Sequence, residues 1–211
     1  MKTMKTLKKQ KVLRKLFNAR VHLGHRKCFW HPRVASYIYG VREGVHILDL
    51  KQTIQKCKYL FHFLLSLLSS GGKILVIGNI HENALFVRAL STFTNRYTNR
   101  IAFLNHKWKG GSLTNREMID ATSPHLKNLE GFPVHFGTPD LILLLNPIDY
   151  CLQEARLLRI PVVGIVDTPT NPDLLEYAIP GNDDSLPSHF FYCQAFHYIF
   201  QKYFSKKKTW V

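Results

Sequence analysis

The segment KILVIGN, residues 73–79, is a continuous apolar run that follows the glycine pair Gly71-Gly72. A strand covered by helices on both faces has this pattern, because it has no solvent-facing side to fill with polar residues. The segment therefore predicts a central parallel strand. Three similar runs follow at intervals that fit one helix and one strand each, at residues 101–105, 141–146 and 162–167.

Helix-length segments separate these runs, at residues 82–95, roughly 114–129 and 149–158. Alternating strands and helices predict an α/β fold, with a doubly wound, mostly parallel sheet of the Rossmann or flavodoxin type and right-handed crossovers. Asn171-Pro172-Asp173 predicts a short helical turn, and residues 177–179 can add an edge strand. A final helix is expected from Ser185 to about Phe204, with an acidic residue capping its start.

The region before the sheet predicts a basic helical arm and a small hairpin. Residues 37–39 and 46–48 form the hairpin and turn at residues 42–44, and Asp49 then begins a long helix that reaches Ser70. Apolar residues at helical spacing between Leu7 and Phe17 indicate that the arm docks on its own protein. We predict three regions: the arm and hairpin at 1–50, the α/β domain at 51–204 and a basic tail at 205–211.

The charge of the chain indicates a polyanionic partner. Lysine and arginine total 29 against 14 acidic residues, which gives a formal net charge of +15, and no acidic residue precedes Glu43. A second basic cluster lies at 202–208. Nucleic acid is favoured over a membrane surface, because the apolar stripe of the arm is short. The longest apolar stretch, residues 59–68, is too short to span a bilayer.

The cysteines and histidines give no firm sign of a metal. The four cysteines lie far apart without a CxxC pair, so the sequence indicates neither a disulfide scaffold nor a zinc ribbon and fits a reducing compartment. His22, His25, Cys28 and His31 recur every three residues and could all ligate zinc, but a helix would spread them around its surface. Only a loop could bring them together. We expect no metal and no other cofactor.

Small or polar residues end four of the predicted strands: Gly78, Asn105, Asn146 and Asp167. Ligands of open α/β sheets usually bind at this edge. A metal- or nucleotide-dependent enzyme would place its site there, with Asp167, Asp183 and Asp184 as metal ligands. The phosphate-binding glycine loops of such enzymes are missing from the sequence, so we expect these residues to cap strands and helices instead.

The segment NHKWKGGSLTNR, residues 105–116, follows the second strand of the predicted sheet. It combines two lysines, an arginine, a tryptophan and paired glycines, which allows a loop to approach a phosphate backbone closely. Trp108 can either stack on a base or anchor the loop in the core. Composition alone leaves both roles open.

The core of this segment, WKGGSLTN, resembles a signature of the family of small-subunit ribosomal protein number two in its bacterial and organellar form. The cytosolic and archaeal branch carries a different segment there. The other agreeing stretches are, in chain order, His22-Leu23-Gly24-His25 with Trp30, Pro32, Tyr37-Ile38, Arg42, Gly44, His46-Ile47 and Asp49-Leu50; Pro139-Asp140-Leu141; Ile160-Pro161-Val162-Val163 with Ile165-Val166-Asp167-Thr168; Asn171-Pro172-Asp173; and Ile179-Pro180-Gly181-Asn182-Asp183-Asp184. The resemblance spans about residues 12–200.

The resemblance implies a structural protein that binds small-subunit ribosomal RNA and neighbouring small-subunit proteins, with no catalytic activity, membrane or small-molecule substrate. The bacterial family inserts a long helical hairpin between the Thr-Asn motif and the Pro-Asp strand. Here Asn115 and Pro139 are close in sequence, so the hairpin is absent or reduced. This departure favours a diverged organellar protein, and the mitochondrion over the plastid.

We expect basic side chains of the arm and loops to neutralise RNA phosphates. The expected contact residues are Lys8, Lys9, Lys11, Arg14, Lys15, Arg20, Arg26, Lys27, Arg33, Arg42, Lys107, Lys109 and Arg116. Trp30 and Trp108 are expected to lock their loops rather than to read bases.

Overall fold

A computed structural model of the chain describes residues 2–78, 100–104, 108, 110–115, 136–146 and 149–208, with side chains described between residues 10 and 203. The helix predicted at 82–95 lies outside these residues. So does the helix predicted at roughly 114–129, apart from Thr114 and Asn115, which belong to a turn and a bend.

The N-terminal region contains helix α1 (Lys2–Asn18) and a three-stranded antiparallel sheet. Strands β1 (Leu23–Arg26), β2 (Ile38–Arg42) and β3 (Val45–Leu48) lie in the order β1-β3-β2, and a 3-10 helix (Pro32–Tyr37) precedes β2. The predicted hairpin is confirmed. Its two-residue turn has positive φ angles at Glu43 (52°) and Gly44 (76°), as the twist of a tight hairpin requires.

The main sheet has five parallel strands: β4 (Ile74–Ile77), β5 (Ile101–Leu104), β6 (Leu141–Leu144), β7 (Val162–Val166) and β8 (Tyr177–Pro180). Their order is β5-β4-β6-β7-β8, the flavodoxin-like arrangement of a doubly wound sheet. The predicted α/β fold is therefore confirmed, edge strand included. The four strands β4 to β7 are buried along their whole length, which explains why they read as continuous apolar runs.

Helices cover both faces of this sheet: α2 (Leu50–Ser69) and α4 (Leu186–Lys208) on one face, and α3 (Asp149–Leu157) on the other. Alternate residues of β4 divide between the two cores. Val76 joins the cluster that contains Leu64 of α2 and Phe196 of α4, whereas Leu75 joins the cluster that contains Leu152 of α3. Each fully buried side chain of this size contributes about 1.5–3 kcal/mol.

A capping side chain sets the start of α2, whereas the start of α4 differs from the prediction. Asp49 Oδ1 accepts a hydrogen bond from Lys51 N at 2.8 Å, so the predicted start of α2 is confirmed. The prediction of an acidic cap for α4 is wrong. The first turn of α4, which begins at Leu186, contains no acidic residue, and Asp183 is buried. In the turn that leads into this helix, Asn182 Oδ1 accepts hydrogen bonds from the backbone N–H groups of Asp184 and Ser185.

Candidate nucleic-acid interface

Eight of the predicted RNA contacts lie among residues with described side chains, and all eight are exposed. They are Lys11, Arg14 and Lys15 on α1, Arg20 in the turn after it, and Arg26, Lys27, Arg33 and Arg42 on and around the small sheet. Lys8 and Lys9 belong to α1, but their side chains are outside the description. Lys107, Lys109 and Arg116 lie outside the described residues altogether.

Two of the eight cations have acidic partners. Arg33 Nε lies 3.2 Å from Asp173 Oδ2, and Arg42 Nε lies 3.8 Å from Glu43 Oε1. Both pairs are solvent-exposed and contribute little to stability. Within the part of the chain that the structure describes, the other six form no ion pair with a carboxylate. Their charge is therefore available to an external polyanion.

Arg20 occupies the turn that carries the chain from α1 into the small sheet. Its φ angle is 59°, in the left-handed region that L residues with a side chain rarely adopt. The turn is closed by hydrogen bonds from Arg20 N to Phe17 O (3.0 Å) and from Val21 N to Leu16 O (3.2 Å). Leu16 and Val21 are both buried, so the two residues flanking the turn hold it against the core while Arg20 points outward.

Helix α1 packs against the rest of the protein through fewer apolar side chains than its sequence pattern predicted. Leu16 is buried in the core cluster that includes α2, but Val12 is 40% exposed and Phe17 is 60% exposed. Phe17 stacks on the His22 ring, with centroids 4.3 Å apart. The helix is therefore held near its carboxyl end, and part of its apolar surface stays open.

The glycine loop is organised by one buried carboxylate. Glu154 Oε1 accepts hydrogen bonds from Trp108 Nε1 (3.1 Å) and Gly111 N (2.8 Å), while Oε2 accepts from Leu113 N (2.9 Å) and, at 3.4 Å, Thr114 N. Trp108 is itself buried, which shows that its indole anchors the loop in the core. Of the two roles that the sequence left open, the anchoring role is confirmed.

Sequence reasoning missed Glu154, although a signal was present. The residue lies on α3 between Leu152 and Ala155, which are buried, so it stands at a core position of the helix. A carboxylate at a buried helical position needs hydrogen-bond donors, because burying an unpaired charge costs free energy. Three backbone N–H groups of the loop after β5 and the Trp108 indole donate hydrogen bonds to Glu154. These bonds hold the loop against α3.

The carboxyl edge of the main sheet is covered by the chain's own N-terminal segment. His25 N donates to Thr168 Oγ1 (2.9 Å), and His31 N donates to Thr168 O (2.8 Å). Gly24 lies so close that an added Cβ would stand 2.7 Å from Thr168 Cγ2. Strand β1 and its flanks therefore occupy part of the edge at which doubly wound enzymes bind nucleotides.

A histidine joins two acidic residues at this edge. His25 Nε2 lies 3.0 Å from Asp184 Oδ2, and His25 Nδ1 lies 3.3 Å from Oδ2 of the fully buried Asp167. One ligand atom from each of the three lies within 4.8 Å of the others, a donor set that suits a small divalent cation. Burial is the main cause that raises the pKa of Asp167, opposed by the Thr168 N–H and His25.

Asp183 is buried beside this cluster. Burial raises its pKa to about 8, with repulsion from Asp167 and Asp184 adding to the effect. Asn146, at the end of β6, donates to the backbone carbonyl of Asp183. The three aspartates of the enzyme alternative thus lie together, but they fasten the N-terminal sheet and the loop after β8 to the main sheet.

The four candidate zinc ligands near the N-terminus do not converge on one point. His25 turns to Asp167 and Asp184, His22 stacks on Phe17, and His31 Nδ1 accepts from Arg33 N at 3.2 Å. Cys28 is exposed. The other three cysteines are buried, and burial raises the pKa of each thiol to about 12, which leaves them unreactive.

A family model described as Ribosomal protein S2 matches residues 16–136 and 121–201. The small ribosomal subunit protein uS2 of Francisella tularensis subsp. novicida (strain U112) is 31% identical over 218 residues, which cover 88% of this chain and 89% of the relative. The protein of the same name from Francisella philomiragia subsp. philomiragia is 30% identical over the same length and coverage.

Proposed function

This chain belongs to the ribosomal protein S2 family, and from that premise we propose that it binds small-subunit ribosomal RNA in an organellar ribosome. Its role in the small ribosomal subunit is structural and not enzymatic. The enzyme alternative that uses Asp167, Asp183 and Asp184 has no support from the relatives.

The observation that carries RNA binding is the distribution of exposed cations. Six exposed basic side chains, on α1, in the following turn, and on or directly after β1, lack acidic partners within the described region, in a chain of net charge +15. Cations held on a helix and a small sheet keep fixed spacings, and fixed spacings position a protein on a phosphate backbone. Binding of this kind weakens steeply with salt, because it releases condensed counterions.

The proposed contact surface has two parts. The first is the arm and small sheet within 1–50, and the second is the glycine loop that Glu154 holds against the α/β domain of 51–204. The tail predicted at 205–211, of which residues 205–208 belong to α4, would add further positive charge. The proposed contacts, in full, are Lys8, Lys9, Lys11, Arg14, Lys15, Arg20, Arg26, Lys27, Arg33, Arg42, Lys107, Lys109 and Arg116. Neighbouring small-subunit proteins are the other proposed partners.

The proposed compartment is the mitochondrion, with the plastid as the alternative. The alignment with the Francisella tularensis relative is 218 residues long, more than the 211 residues of this chain, so the relative carries positions that this chain lacks. We infer that the missing positions fall between Asn115 and Pro139. Shortening of that kind, with strong basicity, supports a diverged organellar protein. None of the described helices is both long and apolar enough to cross a bilayer.

Sedimentation tests the proposal directly. Lysate of purified mitochondria is separated on gradients at low and high salt, and each fraction is probed for this chain. We expect co-migration with the small subunit at low salt and progressive release as salt rises. A peak confined to the light fractions at low salt would contradict the ribosomal assignment, and enrichment in plastids instead would contradict the compartment.

Binding of the purified chain to small-subunit ribosomal RNA tests the contact surface. Replacing Lys11, Arg14 and Lys15 together by glutamine should lower the slope of log affinity against log salt by about 2–3, since each phosphate contact contributes about 0.7–0.9. The matched control replaces three exposed cations elsewhere, Lys51, Arg156 and Arg159, by glutamine. Equal slopes for the two triple variants would remove α1 from the interface.

A further inference from the structure

An open apolar groove lies where α1 and α4 both pack near α2. Its volume is about 350 Å³, within the range in which proteins hold small molecules or the anchor side chains of a peptide. Nine of its twelve lining residues are apolar or cysteine.

The floor of the groove is buried from solvent, whereas its walls are partly exposed. Leu16, Cys57 and Ile199 are buried and form its floor, while Phe61 and Phe191 are only half-buried. Val12, on the wall supplied by α1, is 40% exposed. Apolar surface left open in this way costs free energy in water, which a partner recovers by covering it.

The polar groups at the groove have one sign of charge. Lys58 of α2 and Lys202 of α4 are exposed, His62 is the remaining polar lining residue, and none of the described residues that line the groove is acidic. Within the described residues neither lysine forms an ion pair. An occupant must therefore offer apolar side chains to the floor and carboxylates to the rim.

We propose that this groove docks an amphipathic helix of another protein, with apolar anchors on one face and acidic residues beside them. Helix-in-groove recognition uses anchors at spacings of i, i+3, i+4 and i+7, which a groove between helices accommodates. RNA fits less well, since most of the lining is apolar and offers few groups to phosphates. The assignment of this helix to a neighbouring small-subunit protein rests on the proposed function. The preference of the groove for an apolar and acidic helix is independent of that function.

Designed peptides test the groove on the purified full-length chain. The first peptide is a fluorescent helix of about 16 residues with leucine or phenylalanine at the anchor positions and glutamate beside them, a length at which isolated helices begin to form. A second peptide replaces each glutamate by lysine, and a third has the first peptide's residues in scrambled order. Fluorescence anisotropy gives the affinity of each, with small-subunit RNA as a competitor.

The acidic peptide should bind saturably and the other two should not. Ala195→Trp should weaken binding by about tenfold or more, because the indole fills the groove. The double variant Lys58→Glu with Lys202→Glu should weaken it by about as much, because it reverses the charge of the rim. The controls are Ala35→Trp, at an exposed alanine on the small-sheet side, and Lys51→Glu, a charge reversal on the same helix outside the groove. Both controls should leave the affinity unchanged.

Other outcomes would overturn the proposal. Equal binding of the lysine peptide would refute the charge argument, and displacement of the acidic peptide by RNA would make RNA the occupant. Dimerisation of the wild-type chain in sedimentation velocity that Ala195→Trp abolishes would make a second copy the occupant. Ala195→Trp should keep wild-type affinity for ribosomal RNA, which separates failure of this proposal from failure of the proposed function.

Discussion

Replacing Glu154 by alanine removes the acceptor on which the loop of residues 108–115 converges. Three of its hydrogen bonds are short, at 2.8, 2.9 and 3.1 Å, and the fourth, from Thr114, is 3.4 Å long. A hydrogen bond to a charged group contributes about 1.5–3 kcal/mol, so the three short bonds set an upper bound of about 5–9 kcal/mol.

The measured loss should fall below that bound. The backbone N–H groups of the loop are only partly buried, so they can bond to water once the loop opens locally. We therefore expect Glu154→Ala to lower the free energy of unfolding by about 3 kcal/mol. Glu154→Gln keeps one acceptor oxygen but turns an NH₂ group toward N–H donors, and should cost about 2 kcal/mol.

Urea unfolding gives these energies, and tryptophan fluorescence reports the loop. In a background in which Trp30 and Trp210 are replaced by phenylalanine, Trp108 is the remaining tryptophan. Its emission should shift to the red in Glu154→Ala before global unfolding, because the released indole enters water. The same variant should bind ribosomal RNA more weakly if the loop is part of the interface.

Two other glutamates calibrate the result. Glu43 is 87% exposed in its side chain, and Glu43→Gln should change stability by less than about 0.5 kcal/mol. Glu176 accepts one hydrogen bond, from Val162 N at 2.6 Å, and Glu176→Gln should cost about 1 kcal/mol. A loss for Glu154→Ala no larger than that for Glu43→Gln, with unchanged Trp108 emission, would refute the role assigned to Glu154.

Three further predictions concern packing and charge. Gly24→Ala should cost about 1–3 kcal/mol in urea unfolding, because its Cβ would stand 2.7 Å from Thr168 Cγ2, whereas Gly40→Ala meets nothing within 4 Å and serves as the control. Leu64→Ala should cost about 2–5 kcal/mol, since the side chain is fully buried, and a loss below 1 kcal/mol would contradict the described core. The folded-state pKa of Asp183, about 8, lies above its unfolded value near 3.8, so the folded state holds the proton more tightly between these values. Wild-type stability should therefore fall as pH rises from about 4 to about 8, and Asp183→Asn should flatten that dependence; an unchanged slope would contradict the raised pKa.

The strands of the main sheet and their order along the chain were predictable from sequence. A strand buried on both faces must be apolar throughout, so a run of four to six residues such as KILVIG or LILL is enough to identify it. The long helix after Asp49 was predictable for a similar reason, since its cap and its first turn are adjacent in sequence. Strand β1, with the sequence LGHR, was not, because it contains neither an apolar run nor an alternation.

The family was also within reach of the sequence, because the motifs around Trp108 and Asp183 are contiguous. Their physical roles were not. Trp108 was read as either a stacking or an anchoring residue, and the choice depended on Glu154, which is 46 residues away. The acidic cap predicted for the final helix was wrong for a related reason, since Asp183 is buried and Asp184 pairs with His25, a residue from a distant part of the chain.

Local sequence features were enough to predict three parts of this protein: apolar patterning predicted the α/β class, the distribution of charge predicted the basic arm, and composition predicted the glycine loop. Contacts between segments far apart in the chain leave no such local pattern. The closure of the sheet edge by Gly24 and His25, the bonds from the loop to Glu154 and the groove beside Ala195 all join residues from distant segments. They exist because folding brings those segments together, and their geometry could be read only from the folded chain.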